Sequence, residues 1–185
     1  YFIAKNWYAS AFATFQTQFS PGYDYSVNKD VSISEFMAPG YLTTGLGFTY
    51  DPGKIFTVVL SPASWRGTFV LNDRLSDEGA YGVDPGKHLL SAFGANLKGE
   101  VKYEFLKNMT VYSRLDLYSD YLHKPLNIDV NWEVQVNMII NKWFSTTLTT
   151  NLMYDDDVKI AQKDGTKGSR VQFKEILGVG VQFNF

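Results

Sequence analysis

Residues 128–140 read IDVNWEVQVNMII, and every second residue of this stretch is apolar. Such a period of two is that of a β-strand, whose successive side chains point to opposite faces of a sheet. If the apolar face points inward, the chain is a soluble sandwich or a lipocalin-like barrel. If it points outward, the chain is a membrane barrel with a polar interior. The apolar positions are Ile128, Val130, Trp132, Val134, Val136, Met138 and Ile140.

Eight long segments of the chain alternate in this way or are similarly rich in apolar residues, and no segment reads as a convincing helix. Together they predict a single all-β domain over residues 1–185. Segment 54–66 is apolar on both faces and contains Pro62, which cannot donate a backbone hydrogen bond, so its register stays open. The segments are residues 7–19, 36–50, 54–66, 88–105, 109–121, 128–140, 143–154 and 170–185.

Short and long connections alternate between these segments without exception. In an antiparallel up-and-down sheet this order places all tight turns at one end and all long loops at the other. Outer-membrane barrels have this asymmetry, with short periplasmic turns and long external loops. The tight turns are DPGK at 51–54, LKNM at 106–109 and NKW at 141–143, and the longer polar connections are 20–35, 67–87, 122–127 and 155–169.

Segment length and the distribution of aromatic residues favour the membrane barrel. About ten or more alternating residues suit a tilted crossing of a bilayer, whereas a soluble strand has about five or six. Charged polar faces would also suit a soluble protein, but the aromatic residues gather near both ends of the apolar faces, as in interfacial girdles. Those near the tight turns are Trp7, Tyr50, Tyr103, Phe105, Phe144, Phe183 and Phe185, and those near the long loops are Phe19, Phe36, Phe93, Tyr121, Trp132, Tyr154 and Phe173.

The composition excludes several other classes of protein and site. A formal net charge of −2 gives no basis for binding nucleic acid. The chain contains no cysteine, which excludes disulfides and thiolate metal sites, and no cofactor is predicted. No apolar run is long enough to predict a transmembrane helix. The mean hydropathy of −0.17 does not argue against a membrane barrel, because the alternation of its strands averages to a near-neutral value.

The end of the chain, GVGVQFNF, places a Phe at the last position of the last strand. This resembles the C-terminal signal by which Gram-negative outer-membrane barrels are recognised for insertion. The stretches KNWYASAFATFQTQFSPGYDY, NIDVNWEVQVNMIINKWFSTTLTTNLMYDDDVKI and FKEILGVGVQFNF resemble an outer-membrane barrel family of Bacteroides-type bacteria, classified only as a domain of unknown function. The resemblance covers nearly the whole chain and rests chiefly on IDVNWE and YDDD.

This resemblance implies an antiparallel up-and-down transmembrane β-barrel in the cell outer membrane of a Gram-negative bacterium. Members of the family are longer at the N-terminus, where they carry additional hairpins. The resemblance therefore implies that Tyr1 is not the natural start, and that the eight strands are the C-terminal part of a ten- to twelve-stranded barrel. It brings no catalytic residues. The partners it implies are the lipid bilayer and lipopolysaccharide.

The predicted interior carries mixed and nearly balanced charges. In a closed eight-stranded barrel these side chains fill the lumen as a salt-bridged plug, whereas in a wider barrel they line a narrow aqueous pore. The leading hypothesis is a pore or transport role for small hydrophilic solutes, and the alternative is a structural anchor or a subunit of an outer-membrane assembly. The predicted lumen-lining residues are Lys98, Glu100, Lys102, Arg114, Asp116, Asp129, Asn131, Glu133, Gln135, Arg170 and Lys174.

An enzyme is the third hypothesis. His88 and His123 fall at the long-loop end, where outer-membrane hydrolases and acyltransferases place a histidine, and Ser91 and Asp120 are candidate partners. No spacing defines a triad, and a solvated loop histidine is the simpler interpretation. The prediction is therefore a protein without catalytic residues.

Two acidic features remain. Asp155, Asp156 and Asp157 cluster at the outer rim, where carboxylates suit Ca²⁺ or divalent-bridged lipopolysaccharide, although a solvated turn also explains them. Glu175 falls on the apolar face of the last segment. Either a β-bulge turns it inward, or this patch faces another protein in the outer membrane.

Overall fold

The computed structural model describes residues 1–25, 28–53, 55–122, 125–156, 160–161 and 167–182. His123, Asp157, Phe183 and Phe185, which the sequence assigns to a candidate site or an aromatic girdle, lie outside the described residues. In chain order the elements are β1 (Phe2–Ala4), β2 (Trp7–Thr17), β3 (Gly22–Asp24), β4 (Asn28–Ser34), β5 (Gly40–Tyr50), β6 (Phe56–Phe69), α1 (Asp73–Asp77), a 3₁₀ turn (Ala80–Gly82), β7 (Leu89–Leu106), β8 (Met109–Asp120), β9 (Ile128–Ile139), β10 (Phe144–Tyr154), β11 (Ile160–Ala161), β12 (Lys167–Gly168) and β13 (Gln172–Val181).

In the described part of the chain, nine strands form one antiparallel sheet in the order β1–β2–β5–β6–β7–β8–β9–β10–β13. The prediction of an all-β, antiparallel architecture is therefore confirmed. The eight predicted segments are the long strands of this sheet, and the short strand β1 is an addition to them. The pairs β3–β4 and β11–β12 are small hairpins within the long connections.

The sheet is open, with β1 at one edge and β13 at the other. Among the described residues no ladder joins these two edges. A closed eight-stranded barrel would place β2 beside β13, but β1 occupies the start of that edge of β2 through the pairs Phe2–Tyr8 and Ala4–Trp7. The described strands thus do not close into a barrel, and the predicted barrel of ten to twelve strands stays a prediction.

The sheet is strongly curved. Arg66 of β6 and Asp129 of β9 form an ion pair of 2.8 Å, although β7 and β8 lie between their strands. Neighbouring strands are about 4.8 Å apart, which separates β6 from β9 by about 14 Å along the sheet. The two side chains can meet only because the sheet curls and brings these strands towards each other across its concave face.

The concave face is polar. Glu100, Arg114, Glu133, Asn151 and Lys174 stand opposite one another on five successive strands, from β7 to β13. Residues paired in this way share one face of a sheet, and opposite charges on neighbouring strands stabilise the pairing. The alternation seen in the sequence therefore places the charged side chains on the inner side of the curve.

The convex face is apolar and exposed. Leu46 of β5 has 64% of its surface accessible, and Leu177 of β13 has 70%. Aromatic side chains contact one another near both ends of the strands: Trp7 and Tyr50 have ring centroids 5.0 Å apart, and Phe93 and Tyr121 have centroids 6.1 Å apart. Apolar area of this kind is normally removed from water.

Strand β6 contains the irregularity that left its register open in the sequence. Its pairing with β7 shifts between Ser61 and Ser64, and Pro62 lies in this bulge. A bulge inserts an extra residue and reverses the parity of everything that follows. Odd-numbered residues such as Val59 therefore share a face with Lys98, whereas after the bulge the even-numbered Arg66 takes the inner position.

The connection from Val70 to His88 folds into a small cap with its own apolar core. Leu75 and Val83 are 2% and 3% exposed, and they cluster with Val70 and with Ala38 of the preceding long connection. The helix α1 begins at the N-cap Asn72, whose side chain accepts a hydrogen bond from the Leu75 amide at 3.0 Å. The sequence predicts no helix here, and α1 is a single short exception. No helix among the described residues is long and apolar enough to span a membrane.

Glu175 lies on the convex face. It is paired with Thr150 within a ladder that runs regularly from Phe144 to Met153. The suggested bulge near this residue is therefore wrong, because an uninterrupted register fixes Glu175 on the apolar side. Ile176 takes the inner position instead.

Candidate functional site

A cavity of about 420 Å³ lies on the concave face. It is lined by side chains from β2, β5, β6, β7, β8, β9 and β10, and by Tyr81 of the loop cap. Because the sheet curves around it, residues far apart in the sequence converge there. The residues proposed from the sequence that line it are Lys98, Glu100, Arg114, Asp116, Asp129, Asn131 and Glu133, together with Asp155 and Asp156 from the rim.

Four of the predicted lumen residues lie outside this lining. Lys102 and Gln135 both pair with Tyr112, one row closer to the tight turns. Lys174 is on the edge strand β13, opposite Asn151, and Arg170 is exposed just before that strand. The other predicted lumen residues thus line one cavity, whereas Lys102, Gln135, Lys174 and Arg170 lie outside it.

Two ion pairs connect neighbouring strands within the cavity wall. Lys98 and Asp116 are directly opposite each other, with Nζ 3.5 Å from Oδ2. Arg114 and Glu133 are likewise opposite, at 3.9 Å. The Asp116 carboxylate also accepts a hydrogen bond of 2.6 Å from the Asn96 amide. These contacts neutralise part of the charge of the side chains on the concave face.

Arg66 is the functional candidate that the sequence does not reveal. Its guanidinium lies 3.8 Å from the centre of the Tyr118 ring while it donates to the Asp129 carboxylate at 2.8 Å. The guanidinium is thereby held between an aromatic face and a carboxylate, which is a favourable setting for a cation. Recognising Pro62 as the position of a bulge would have reversed the parity of the segment and placed Arg66 inside.

A second contact also spans several strands. The Lys98 ammonium lies 4.4 Å from the centre of the Phe12 ring of β2. Phe12 reaches inward across Gly45, where a Cβ would overlap the ring. Gly45 therefore leaves the space that the ring occupies. Together with the Arg66–Asp129 pair, this contact narrows the open space on the concave side of the sheet near its middle.

The acidic rim is partly organised by hydrogen bonds. Asp156 accepts from the Asn127 amide at 2.8 Å, from the Ser169 hydroxyl at 3.2 Å and from the Tyr154 hydroxyl at 3.4 Å. These donors hold the carboxylate in the wall of the cavity. Within the described ranges, no three carboxylates or imidazoles come together as a metal site. Because Asp157 lies outside those ranges, the proposed three-aspartate cation site stays a prediction.

The two long loops meet at the same end of the sheet. Glu35 accepts hydrogen bonds from the Ser32 hydroxyl at 2.6 Å and from the Asn72 amide at 2.9 Å. These bonds hold the pKa of the Glu35 carboxyl below its ordinary value. The Tyr81 hydroxyl donates to the Ile33 carbonyl at 2.5 Å, and burial raises the pKa of Tyr81. The cap thus lies against the first loop and contributes Tyr81 to the cavity wall.

The residues suggested for catalysis are not brought together. His88 lies 2.7 Å from the Val70 carbonyl through Nδ1 and 3.6 Å from Asp73 through Nε2. Ser91 accepts a hydrogen bond from the Trp65 indole at 2.6 Å. Asp120 lines the cavity on the opposite face of the sheet. The described candidates therefore have separate surroundings and do not form a single reactive group.

No known family model, curated protein or solved structure matches the chain significantly.

Proposed function

We propose that this protein is a β-barrel of the outer membrane of Gram-negative bacteria, and that it passes small hydrophilic solutes through a polar lumen. The observation that carries the proposal is the inverted polarity of the sheet. Large apolar side chains cover its exposed convex face, whereas charged side chains line the cavity on its concave face. A bilayer is the solvent that makes this arrangement favourable, because lipid tails accept the apolar face.

The open edges of the sheet indicate how many strands the membrane form contains. In hydrocarbon every unpaired backbone group costs several kcal/mol, so both edges must be paired there. Among the described residues, the unpaired edges are the outer edge of β1 with the remainder of β2, and the outer edge of β13. With nine strands already present, and an even number usual for single-chain bacterial barrels, ten to twelve strands would complete the barrel. This agrees with the resemblance to a family that carries additional N-terminal hairpins.

A wider barrel suits a pore. Eight strands enclose a space that side chains fill, and each added strand widens the lumen. The cavity of about 420 Å³ already exists on the concave face of the open sheet. A barrel of ten or more strands would continue this cavity as a narrow aqueous passage.

The second candidate is a structural anchor or a subunit of an envelope assembly. It is favoured by the two contacts that cross the concave face, Arg66 with Asp129 and Lys98 with Phe12. Such contacts could close the lumen instead of lining it. Glu175, a carboxylate on the apolar face, would suit a contact with another protein on that side.

Conductance of the full-length protein in planar bilayers tests the proposal. We expect discrete current steps, and liposomes that contain the protein should swell in small sugars. A matched pair of substitutions on β7 locates the passage: Ala92 lines the cavity, whereas Ala95 lies on the convex face. Ala92→Trp should reduce the conductance at least twofold, and Ala95→Trp should leave it unchanged.

Two results would count against the pore. Correctly inserted protein that conducts no current at any voltage would favour the structural candidate. Equal conductance in both tryptophan variants would show that current does not pass along the concave face.

A further inference from the structure

The Arg66 side chain crosses the concave side of the sheet. It starts on β6, and its guanidinium donates to the Asp129 carboxylate of β9 at 2.8 Å. The strands β7 and β8 lie between these two, and the guanidinium passes over the Tyr118 ring of β8, 3.8 Å from its centre. A planar guanidinium that is bound both by a ring face and by a carboxylate is held in one orientation. Arg66 is therefore a fixed obstacle in the space over β7 and β8.

Lys98 makes the corresponding contact in the other direction. It starts on β7, and its ammonium lies 4.4 Å from the centre of the Phe12 ring of β2. The strands β5 and β6 lie between these two. The same ammonium is 3.5 Å from the Asp116 carboxylate of β8. Lys98 thus repeats the arrangement of Arg66, in which a cation lies between an aromatic ring and a carboxylate and reaches across two strands.

The two contacts overlap between β6 and β7. One spans β2 to β7 and the other spans β6 to β9, so together they cross six neighbouring strands of the sheet. The side chains of Arg66 and Lys98 are 26% and 23% exposed, whereas that of Arg114, another cation of the cavity wall, is 49% exposed. Arg114 pairs with Glu133 on the adjacent strand, and this pair crosses no other strand. The crossing contacts therefore differ from an ordinary ion pair between neighbouring strands.

We propose that Arg66 and Lys98, held by these contacts, form the narrowest part of the lumen and set the size limit of the solutes that pass. The inference rests on the proposed passage of hydrophilic solutes and assigns its size limit to two residues. A solute that follows the concave face must pass between these two side chains and the strands that complete the barrel, and the narrowest part of a pore limits what passes through it.

Polymer exclusion in planar bilayers measures the size limit of the full-length protein. Polyethylene glycols that enter a pore lower its conductance, whereas larger ones stay outside and leave it unchanged. Arg66→Ala removes one of the two obstacles, so it should raise the conductance by about twofold and admit larger polymers than the native protein admits. Lys98→Ala should have the same effect, and it is an independent variant if the loss of Arg66 prevents insertion.

Lys102→Ala is the matched control for Lys98→Ala. Lys102 lies on the same strand and the same face as Lys98, but it is exposed and outside the cavity lining. Its removal should leave the polymer size limit unchanged. A shift in Lys102→Ala equal to that in Lys98→Ala would overturn the inference, because any inward lysine would then limit passage.

The currents of the native protein and of the two alanine variants separate the inference from the pore itself. A native protein that conducts, with the same polymer limit in Arg66→Ala and Lys98→Ala, would overturn the inference and leave the pore intact. A native protein without current, together with current in either variant, would overturn the native pore and support these contacts as the place where the lumen is closed. Absence of current in all three proteins would overturn both.

Discussion

The loop cap and the long strands bury opposite kinds of side chain. In the cap, Val70, Leu75 and Val83 are almost completely enclosed. In the strands, the most enclosed side chains include Asn96 and Ser61, whereas Leu46 and Leu177 on the convex face are largely exposed. One chain thus contains a core of the kind found in water-soluble domains beside a sheet with the reverse arrangement.

This difference supports the proposal that lipid surrounds the sheet and water surrounds the cap. Burial of apolar area contributes about 25 cal/mol per Å² when the reference solvent is water, which explains the cap. The same rule would disfavour the convex face of the sheet in water. It ceases to apply where the solvent is lipid, because transfer from lipid to protein gains little. Under the proposed function, the sheet would lie in the bilayer and the cap on its aqueous side.

The largest expected effect is in the core of the cap. Leu75→Ala should destabilise the cap by about 2–5 kcal/mol, because it removes a buried side chain and leaves a cavity. Amide hydrogen exchange of residues 70–88 in detergent-solubilised protein measures this, with Leu71→Ala as the control. Leu71 is 54% exposed in the same connection, so its truncation should cost less than about 0.5 kcal/mol. Equal protection in the two variants would mean that the cap has no core of its own.

A charge on the convex face should have a slightly smaller effect, and only in a membrane. Leu97 lies near the middle of β7 with its side chain on that face, paired with Leu60. Leu97→Arg should destabilise the folded protein in lipid by about 2–4 kcal/mol, whereas an arginine in place of an exposed leucine in water costs little. Unfolding by urea in lipid vesicles provides the measurement.

Leu71→Arg is the matched control for this substitution, because Leu71 lies in the cap connection and outside the strands. It should leave the stability nearly unchanged. If Leu97→Arg were equally harmless in vesicles, the convex face would not contact lipid, and the contrast between the two regions would need another explanation.

Alternation in the sequence predicted the strands and their faces because β-structure has an unbroken period of two. The ends of the long strands agree with the predicted segments within about four residues. The same period placed Lys98, Arg114 and Glu133 on one face, and the curvature of the sheet brought them into one cavity. Wherever the register is uninterrupted, the local sequence pattern is sufficient to predict the strand and the face on which each side chain lies.

Features that depend on an interruption or on distant contacts could not be predicted. The bulge at Pro62 reversed the parity of β6, so Arg66 was not recognised as an inward residue. The core of the cap combines Ala38 with Leu75 and Val83 from an irregular connection that has no period to detect. The openness of the sheet depends on whether β2 and β13 meet, which no local pattern specifies.

The smallest expected effect is a pH-dependent loosening of the contact between the two long loops. The pKa of Glu35 is lowered by hydrogen bonds from Ser32 and Asn72, so this carboxylate favours the closed contact while it is ionised. A lowered pKa in the folded state means that the contribution is complete above the ordinary pKa and is lost as the pH falls through the folded value. Acidification below about pH 4 should therefore increase hydrogen exchange at Leu71 and Ala38, after correction for the intrinsic rate.

Two variants separate Glu35 from other groups that titrate in this range. Glu35→Gln should exchange faster at neutral pH and lose the additional change on acidification, because its side chain cannot be protonated in this range. Asp84 also has a lowered pKa, owing to its contact with Lys87, so Asp84→Asn is the control and should keep the response of the native protein. An unaltered response in Glu35→Gln would assign the loosening to a different carboxylate. Because the contact lies in the loops, the strands should show no change in protection over the same range, which distinguishes the cap from the sheet.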